Sequence, residues 1–529
     1  MTARFFFDMF LDAIAVPLAL LAVALPFLFA VTDSPLTSFW PLVASWVCIA
    51  VLLLVAAAWL RAGAPQRVGP AGWGLLLAGG LGLAATVGSV IGLVQYVAGD
   101  VGWGPWLHAT QPGQAVGNLR QRNQQATLLS LGAWAWLWWT LHGQPRLGAA
   151  PWGIPAGNSP VSGLWGMVAA IAVVWVAVGG AATASRTAVV QWLLILVLLA
   201  LWRGEGRRSA LGLGVAGFAV FVAAAWVLPE ALWQLQGVRA DALFHRFADA
   251  SHSCTSRRVL WSNVLTLIAQ KPWLGWGWGE LDYAHYITLF PGERFCVLLD
   301  NAHNLPLHLA VDLGLPAAVA LCGAALALCL YARPWRESVP ARQLAWGVLA
   351  LIGLHSLLEY PLWYGPFQLV TLLALAILLW PRHAAPPQPR AWLLALGAAL
   401  AVLAACGLAA WDYHRVSQLY KPGAQRAPAY RDNTQEKVAR SVLFSDTLDF
   451  ARLTTTGLTR DNAERMNALA QELLHYSPEP RVIEMLIESA VMLGKDDEAA
   501  FHMKRYRVAY PTEYARWTGP AGRRASQVL

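Results

Sequence analysis

Eleven stretches of this chain are long and apolar enough to cross a lipid bilayer, and that pattern leaves few folds open. A helix needs about 20 mostly apolar residues to span the hydrocarbon core. The stretches run roughly 13–31, 39–60, 72–97, 123–142, 163–182, 187–202, 209–228, 305–331, 343–358, 361–380 and 391–411. Two joints are very short, Ser185-Arg186-Thr187 and Glu359-Tyr360-Pro361, so ten to thirteen spans fit the same pattern. Inside hydrocarbon every backbone polar group must be satisfied within the protein. The expected fold class is therefore all-α, a polytopic helical membrane protein.

Charge is distributed to match. Only 13% of the 529 residues are charged and 57% are apolar, against about 25% charged in ordinary soluble domains. A disordered chain, a collagen and an ordinary cytosolic enzyme are excluded. Residues Asp412–Leu529 hold 32 of the 68 charges but one of the 28 tryptophans. The expected domains are thus 1–411, transmembrane and including a long loop at 229–304, and 412–529, soluble and helical. In the tail Asn462–His475, Arg481–Leu493 and Asp496–Ala509 read as successive amphipathic helices, similar to one helical-repeat unit. Its 17 basic and 15 acidic residues nearly cancel, which speaks against a nucleic-acid partner.

Short cytoplasmic loops are rich in Lys and Arg. With the N-terminus inside, the cytoplasmic segments hold twelve basic residues, Arg4, Arg61, Arg67, Arg146, Arg203, Arg207, Arg208, Arg333, Arg336, Arg342, Arg382 and Arg390. The opposite short loops hold three, Arg120, Arg122 and Arg186. The expected topology puts the loop 229–304 and the tail outside the cytoplasm. The first stretch reads as a span rather than a cleaved signal peptide, since no small-residue cleavage site follows Leu28. Charged residues sit at span ends rather than at membrane depth. That argues against an ion-coupled transporter and puts any chemistry at the outer face.

Three outer segments are polar beyond what a loop needs. Gly117-Asn118-Leu119-Arg120-Gln121-Arg122-Asn123-Gln124-Gln125 is dense in amides and guanidiniums. It suits a capped helix start, or a site for phosphate or sugar. Arg186 lies alone between two apolar runs, as a headgroup contact or a ligand for an anion. The long loop carries Ser256-Arg257-Arg258-Val259-Leu260-Trp261, then Lys271-Pro272-Trp273-Leu274-Gly275-Trp276-Gly277-Trp278-Gly279, then Asp300-Asn301-Ala302-His303-Asn304-Leu305. The Gly-Trp alternation fits an interfacial anchor or a stacking face for sugar rings. His303, between two asparagines at a helix mouth, is the strongest candidate for taking a proton near neutral pH. His245, His252, His285 and His308 share the region in weaker contexts. No Cys/His spacing fits zinc and no Asp-rich group fits a two-metal site, so neither a metal nor another cofactor is expected. Cys48, Cys322, Cys329 and Cys406 fall within spans. Cys254 and Cys296 are the two cysteines of the outer loop, and in an oxidising compartment they are expected to form a disulfide.

Arg257-Arg258-Val259-Leu260-Trp261, Pro272–Gly279 and Asn301-Ala302-His303-Asn304-Leu305 together resemble the O-antigen ligase and polymerase superfamily of Wzy and WaaL types. Gly117–Gln124 and His355-Ser356-Leu357-Leu358-Glu359-Tyr360-Pro361-Leu362-Trp363-Tyr364 look most like its PglL branch, the pilin protein O-oligosaccharyltransferases. The resemblance implies a multi-pass enzyme of the bacterial inner membrane, with the loop and tail periplasmic. It implies a glycosyltransferase acting on an oligosaccharide carried by undecaprenyl diphosphate. The glycan would pass en bloc to a Ser/Thr hydroxyl of an acceptor protein such as pilin, or to an acceptor glycan. Arg186 and Arg257, with Arg258 beside it, would meet the diphosphate, and His303 would orient or deprotonate the acceptor. Arg120, Gln121, Asn123, Asn301, Asn304, Glu359 and Tyr360 would contact glycan or acceptor. The alternatives are an O-antigen polymerase or lipid A-core ligase using the same donor, and a non-enzymatic transporter of lipid-linked glycan.

Non-reducing peptide mass spectrometry on native protein is expected to recover the Cys254 and Cys296 peptides as one cross-linked species. Two free thiols would refute the pairing.

Overall fold

The structure is a computed structural model that describes residues 2–142, 161–243, 254–381 and 390–519. Among those residues all regular structure is helical. The first seven long helices are α1 (Thr2–Leu28), α2 (Phe39–Arg61), α3 (Pro70–Ala98), α4 (Arg122–His142), α5 (Val161–Ala182), α6 (Arg186–Leu201) and α7 (Arg207–Gln236). The next four are α8 (Arg257–Gln270), α9 (Leu281–Ile287), α10 (Leu305–Leu313) and α11 (Leu315–Ala332). They are followed by α12 (Pro340–Ser356), α13 (Gly365–Leu379) and α14 (Ala391–Ser417). The tail holds α15 (Ser445–Thr455), α16 (Ala463–Tyr476), α17 (Pro480–Met492), α18 (Asp496–Ala509) and α19 (Pro511–Thr518).

Among the described residues seven helices are long and apolar enough to cross a membrane: Phe10–Leu28, Phe39–Arg61, Pro70–Ala98, Leu164–Ala182, Arg207–Gln236, Leu315–Arg336 and Ala391–Tyr420. This is a polytopic helical membrane protein. Two further expected spans are shorter apolar helices, Arg186–Leu201 and Gly365–Leu379. One expectation is corrected. The apolar run 305–331 is two helices, broken at Gly314, whose φ is +87°. The periodicity is apolar on both sides of the break, so hydropathy does not register it. The amide of Leu315 bonds the carbonyl of Pro272 instead of continuing α10.

The chain forms two compact units. The first comprises residues 1–249 and 329–407. Its centre is α4, in which 15 of 21 residues are buried, too many for a helix that faces lipid. Between helices in a bilayer there is little hydrophobic drive, so small residues and hydrogen bonds hold the contacts. Gly132 of α4 lies so close to Ala85 of α3 that an added Cβ would stand 2.0 Å from the Ala85 methyl. Gly347 of α12 lies flat under the Trp134 indole. The Trp134 and Trp138 indoles donate to the carbonyls of Leu344 and Pro340, at 3.1 and 2.8 Å. A tryptophan-rich span thus becomes a buried helix, with the N–H groups of Trp134 and Trp138 spent on the backbone of α12.

The second unit comprises residues 250–328 and 408–529. Residues 254–304 of the long loop lie in this unit together with the tail helices. The reason is local chemistry on α9. Tyr286 meets His502 through Oη and Nδ1 at 3.1 Å, and the Arg505 guanidinium donates to the Ile287 carbonyl at 2.7 Å. His475 pairs with Glu280 at 2.7 Å and stacks on Tyr283. The tail helices α16, α17 and α18 match the three amphipathic runs to within a residue or two. Their apolar stripes close over Leu474, Ile483, Leu486 and Tyr506.

A larger side chain at Gly132 has nowhere to go except into α3. Gly132→Val is expected to lower the thermal unfolding temperature of detergent-solubilised protein, because overpacking costs about 1–3 kcal/mol. Gly166→Ala is the control, since nothing lies within 4 Å of that position, and it is expected to leave the transition unchanged.

Candidate functional site

The expected site residues fall into two groups, one in each unit. In the first unit the polar segment entering α4 is largely committed to holding the chain. The Arg120 guanidinium donates to the Thr37 carbonyl at 3.0 Å, and Arg120 itself has a φ of +64°. The Gln121 side-chain oxygen accepts the Gln124 amide at 2.7 Å, closing the first turn of α4. Arg122 pairs with Asp241 at 2.7 Å. Asn118 bonds the carbonyls of Leu28 and Trp106 and accepts the His108 amide. Of the weaker substrate-binding candidates here, Arg120 and Gln121 therefore have structural partners already.

Asn123 does something more specific. Its side-chain oxygen accepts the Ser185 hydroxyl at 2.7 Å, and its amide donates to the Glu359 carboxylate at 2.8 Å. Ser185 occupies the N-cap position of α6 yet makes no side-chain cap, because its hydroxyl is turned to Asn123. The Glu359 residue is buried, and Tyr360 is half-buried against Trp363 and Tyr364. Deeper along α4, Thr127 meets His355 Nδ1 at 2.9 Å and accepts the Gln191 amide at 2.9 Å. Ser185, Thr127 and Gln191 carry no charge, so charge distribution along the sequence does not mark them; what does is the pair of uncharged polar residues Asn123 and Thr127 at helical spacing inside an apolar run.

Arg186 is the first residue of α6. It is half-buried, and among the described residues it has no hydrogen-bond or ion-pair partner. A cation there opposes the positive end of the helix dipole, whereas an anion would be favoured.

In the second unit α8 starts at Arg257, with Ser256 as its N-cap accepting the Val259 amide at 3.4 Å. Arg257 therefore occupies the same position at a helix start as Arg186. Its guanidinium reaches the carbonyl of His303 at 3.4 Å, and the Trp261 indole donates to the Ala302 carbonyl at 3.1 Å. Arg258 is exposed and, among the described residues, makes no hydrogen bond or ion pair. The tandem is thus resolved in geometry: Arg257 reaches the His303 segment and Arg258 faces solvent.

His303 sits in a tight turn with a φ of +50°, a conformation rare outside glycine but commoner for His, Asn and Asp. The turn is held from both sides. Asn301, which is buried, accepts the His303 amide at 2.9 Å, and Asn304 caps α10 by accepting the Leu307 amide at 3.0 Å. His303 is half-buried. Cys254 and Cys296 are bonded, with their Cα atoms 5.6 Å apart. The bridge ties the residue two before Ser256 to the segment that Asn263 anchors through the Phe295 amide at 2.8 Å.

The other histidines divide cleanly. His285 is buried, with Nδ1 facing the Arg294 guanidinium at 3.2 Å and Nε2 facing Asn263 at 3.3 Å. Burial, then the Arg294 charge, push its pKa down to about 2. It stays neutral and serves the packing. His308 is buried with Nε2 3.7 Å from Asp312. His245 and His252 lie outside the described residues.

Comparison with known proteins adds to this geometry. Residues 171–322 match the family described as "O-Antigen ligase". Residues 343–524 match "Virulence factor membrane-bound polymerase, C-terminal", and residues 115–140 match "Protein glycosylation ligase". The chain is also 31% identical over 126 residues to the "General O-oligosaccharyltransferase" of Acinetobacter baylyi (strain ATCC 33305 / BD413 / ADP1). That similarity spans 23% of this chain and 21% of the relative's length. The chain thus resembles the O-antigen ligase and polymerase superfamily and, within it, the protein-glycosylating ligases. The protein glycosylation match covers the Asn118–Asn123 segment, and the ligase match covers Arg186, Arg257 and His303.

The bridge from Ser185 through Asn123 to Glu359 requires an amide, which accepts on one atom and donates on the other. Asn123→Asp sets a second carboxylate against Glu359 and is expected to destabilise the protein by about 1–3 kcal/mol, the cost of a buried polar group losing its partner. Adding Glu359→Gln inverts donor and acceptor and is expected to recover most of the lost thermal stability in detergent. A double variant no better than the single one would show that the bridge is not what holds this corner.

Proposed function

We propose that this protein is an O-oligosaccharyltransferase. It transfers a glycan en bloc from undecaprenyl diphosphate to a Ser or Thr hydroxyl of an acceptor protein such as a pilin, at the periplasmic face of a bacterial inner membrane. The observation that carries the reading is the shared placement of Arg186 and Arg257. Each is the first residue of a helix, where the positive end of the helix dipole favours a bound anion. A diphosphate is the anion that guanidinium geometry suits best. The similarity to O-antigen ligases, to protein glycosylation ligases and to a general O-oligosaccharyltransferase supplies the glycan and the acceptor.

In this reading the acceptor oxygen attacks the anomeric carbon of the first sugar. The bond from that carbon to the diphosphate oxygen breaks, and undecaprenyl diphosphate leaves with the electron pair. The acceptor proton passes to the His303 imidazole. Arg186 and Arg257 neutralise the charge that grows on the leaving group, with Arg258 available from solvent. Asn301 and Asn304 act on the turn that presents His303 rather than on substrate. Asn123 and Glu359 likewise hold the start of α6.

A second reading has its own support. The match of residues 343–524 to a membrane-bound polymerase family favours a sugar hydroxyl as acceptor, as in a polymerase or a lipid A-core ligase.

The test uses cells supplied with a lipid-linked glycan and a candidate pilin, with the pilin read by intact-mass spectrometry at matched expression. Wild type is expected to add the glycan mass. His303→Ala is expected to reduce transfer by about 10²–10⁴-fold, the usual contribution of general-base help, and Arg186→Ala and Arg257→Ala to reduce it as well. Unmodified pilin with lengthened polysaccharide in wild type alone would move the assignment to polymerase.

A further inference from the structure

The Gly-Trp segment 272–279 is built as a clasp around the end of α10. Trp276 donates its amide to the Val311 carbonyl at 2.8 Å, and Gly277 donates to the Asp312 carbonyl at 3.0 Å. The Gly279 amide donates to the Asp312 carboxylate at 3.2 Å, and Leu315, the first residue of α11, donates back to Pro272 at 2.8 Å. The fit leaves no room for side chains. A Cβ at Gly275 would stand 2.4 Å from the Asp312 carbonyl oxygen, and one at Gly314 would stand 2.2 Å from that of Trp273. Both glycines have positive φ, +68° and +87°. Trp276 turns inward, donating to the Leu267 carbonyl at 3.0 Å under the Lys271 ammonium.

Three large apolar side chains of the same segment are exposed. Trp273 is 76% exposed, Leu274 86% and Trp278 65%. A soluble loop held this rigidly would not spend three large apolar side chains on water. Their surroundings indicate what covers them. They are bonded, through Pro272 and Gly314, to the first residue of a membrane-spanning helix whose own apolar surface is open along its length, with 6% of its span buried.

We propose that Trp273, Leu274 and Trp278 form an interfacial anchor that inserts into the headgroup and acyl boundary of the leaflet at the Leu315 end of α11. Tryptophan is the residue favoured at that depth. The nine residues of α10 span about 14 Å along the helix axis between the clasp and the Asn304 cap, so His303 lies one short helix from the anchored loop. The anchoring itself does not depend on the transfer reaction.

The test uses the full chain in phosphatidylcholine nanodiscs, with Cys48, Cys322, Cys329 and Cys406 replaced by Ala. A nitroxide is placed at Leu274→Cys or Trp278→Cys, with Val442→Cys as an exposed reference in the tail. Power-saturation spin resonance is expected to show collisions with oxygen exceeding those with a nickel chelate at 274 and 278, at a depth within about 10 Å of the headgroup boundary. Position 442 is expected to show the reverse. Labels at 274 and 278 that behave like 442 would overturn the anchor and leave the tryptophans as a sugar-stacking face. The unaltered protein provides a second measurement. A lipid with a headgroup-proximal diazirine is expected to label residues 273–278. Labelling of α11 without labelling of this loop would overturn the proposal as well.

Discussion

Buried side-chain amides hold this protein's polar loops in place. A backbone that leaves helical geometry near a membrane must find partners within the protein. An Asn or Gln side chain can satisfy a donor and an acceptor at once. Gln95 does this for Gly117, accepting its amide at 2.7 Å and donating to its carbonyl at 3.2 Å. Asn118 gathers three strands of chain, Asn123 joins α4 to α6 and to Glu359, and Asn263 receives the Phe295 amide while donating to the Glu293 carbonyl at 2.9 Å. Asn301 and Asn304 then fix the turn at His303. Without these amides the candidate catalytic side chains would sit on loops with nothing to set their direction.

The amides also separate support from chemistry. Side chains already engaged by the fold, such as Arg120, Gln121 and Arg122, are poor ligands because binding would require breaking what holds them. Among the described residues Arg186 and Arg258 make no hydrogen bond or ion pair, Arg257 reaches the His303 carbonyl at a long 3.4 Å, and His303 is half-buried on the braced turn. The two serine–arginine pairs at helix starts differ in one respect. Ser256 caps its own helix and Ser185 does not, so the amides at the start of α6 keep more of their donor capacity than those at the start of α8.

Much of this was legible in the residues. Ten of the eleven apolar runs correspond to helices, although α1 begins well before its run and α7 and α14 continue well past theirs, and the three amphipathic tail helices fall where their periodicity predicts. The break at Gly314 was not legible, since Leu, Ala and Val continue on both sides and what ends α10 is a loop more than thirty residues upstream. The bridge at Asn123 was equally hidden. It joins residues 62 and 236 positions away, and no local pattern marks such a partner. His285 read as a weak candidate base, and only its burial beside Arg294 turned it into a packing residue.

The sequence by itself determined that this chain lives in a membrane, that its tail contains amphipathic helices, and that its polar residues are concentrated at helix ends. Those properties follow from hydropathy, period and charge, each read within a few residues of chain. The tertiary structure decided which of the polar residues are supports and which are available. It also assigned residues 250–304 to the unit that contains the tail and gave Arg257, rather than Arg258, the contact with the His303 turn. Such choices rest on contacts between segments far apart in the chain, and a linear pattern carries no record of which distant groups will meet.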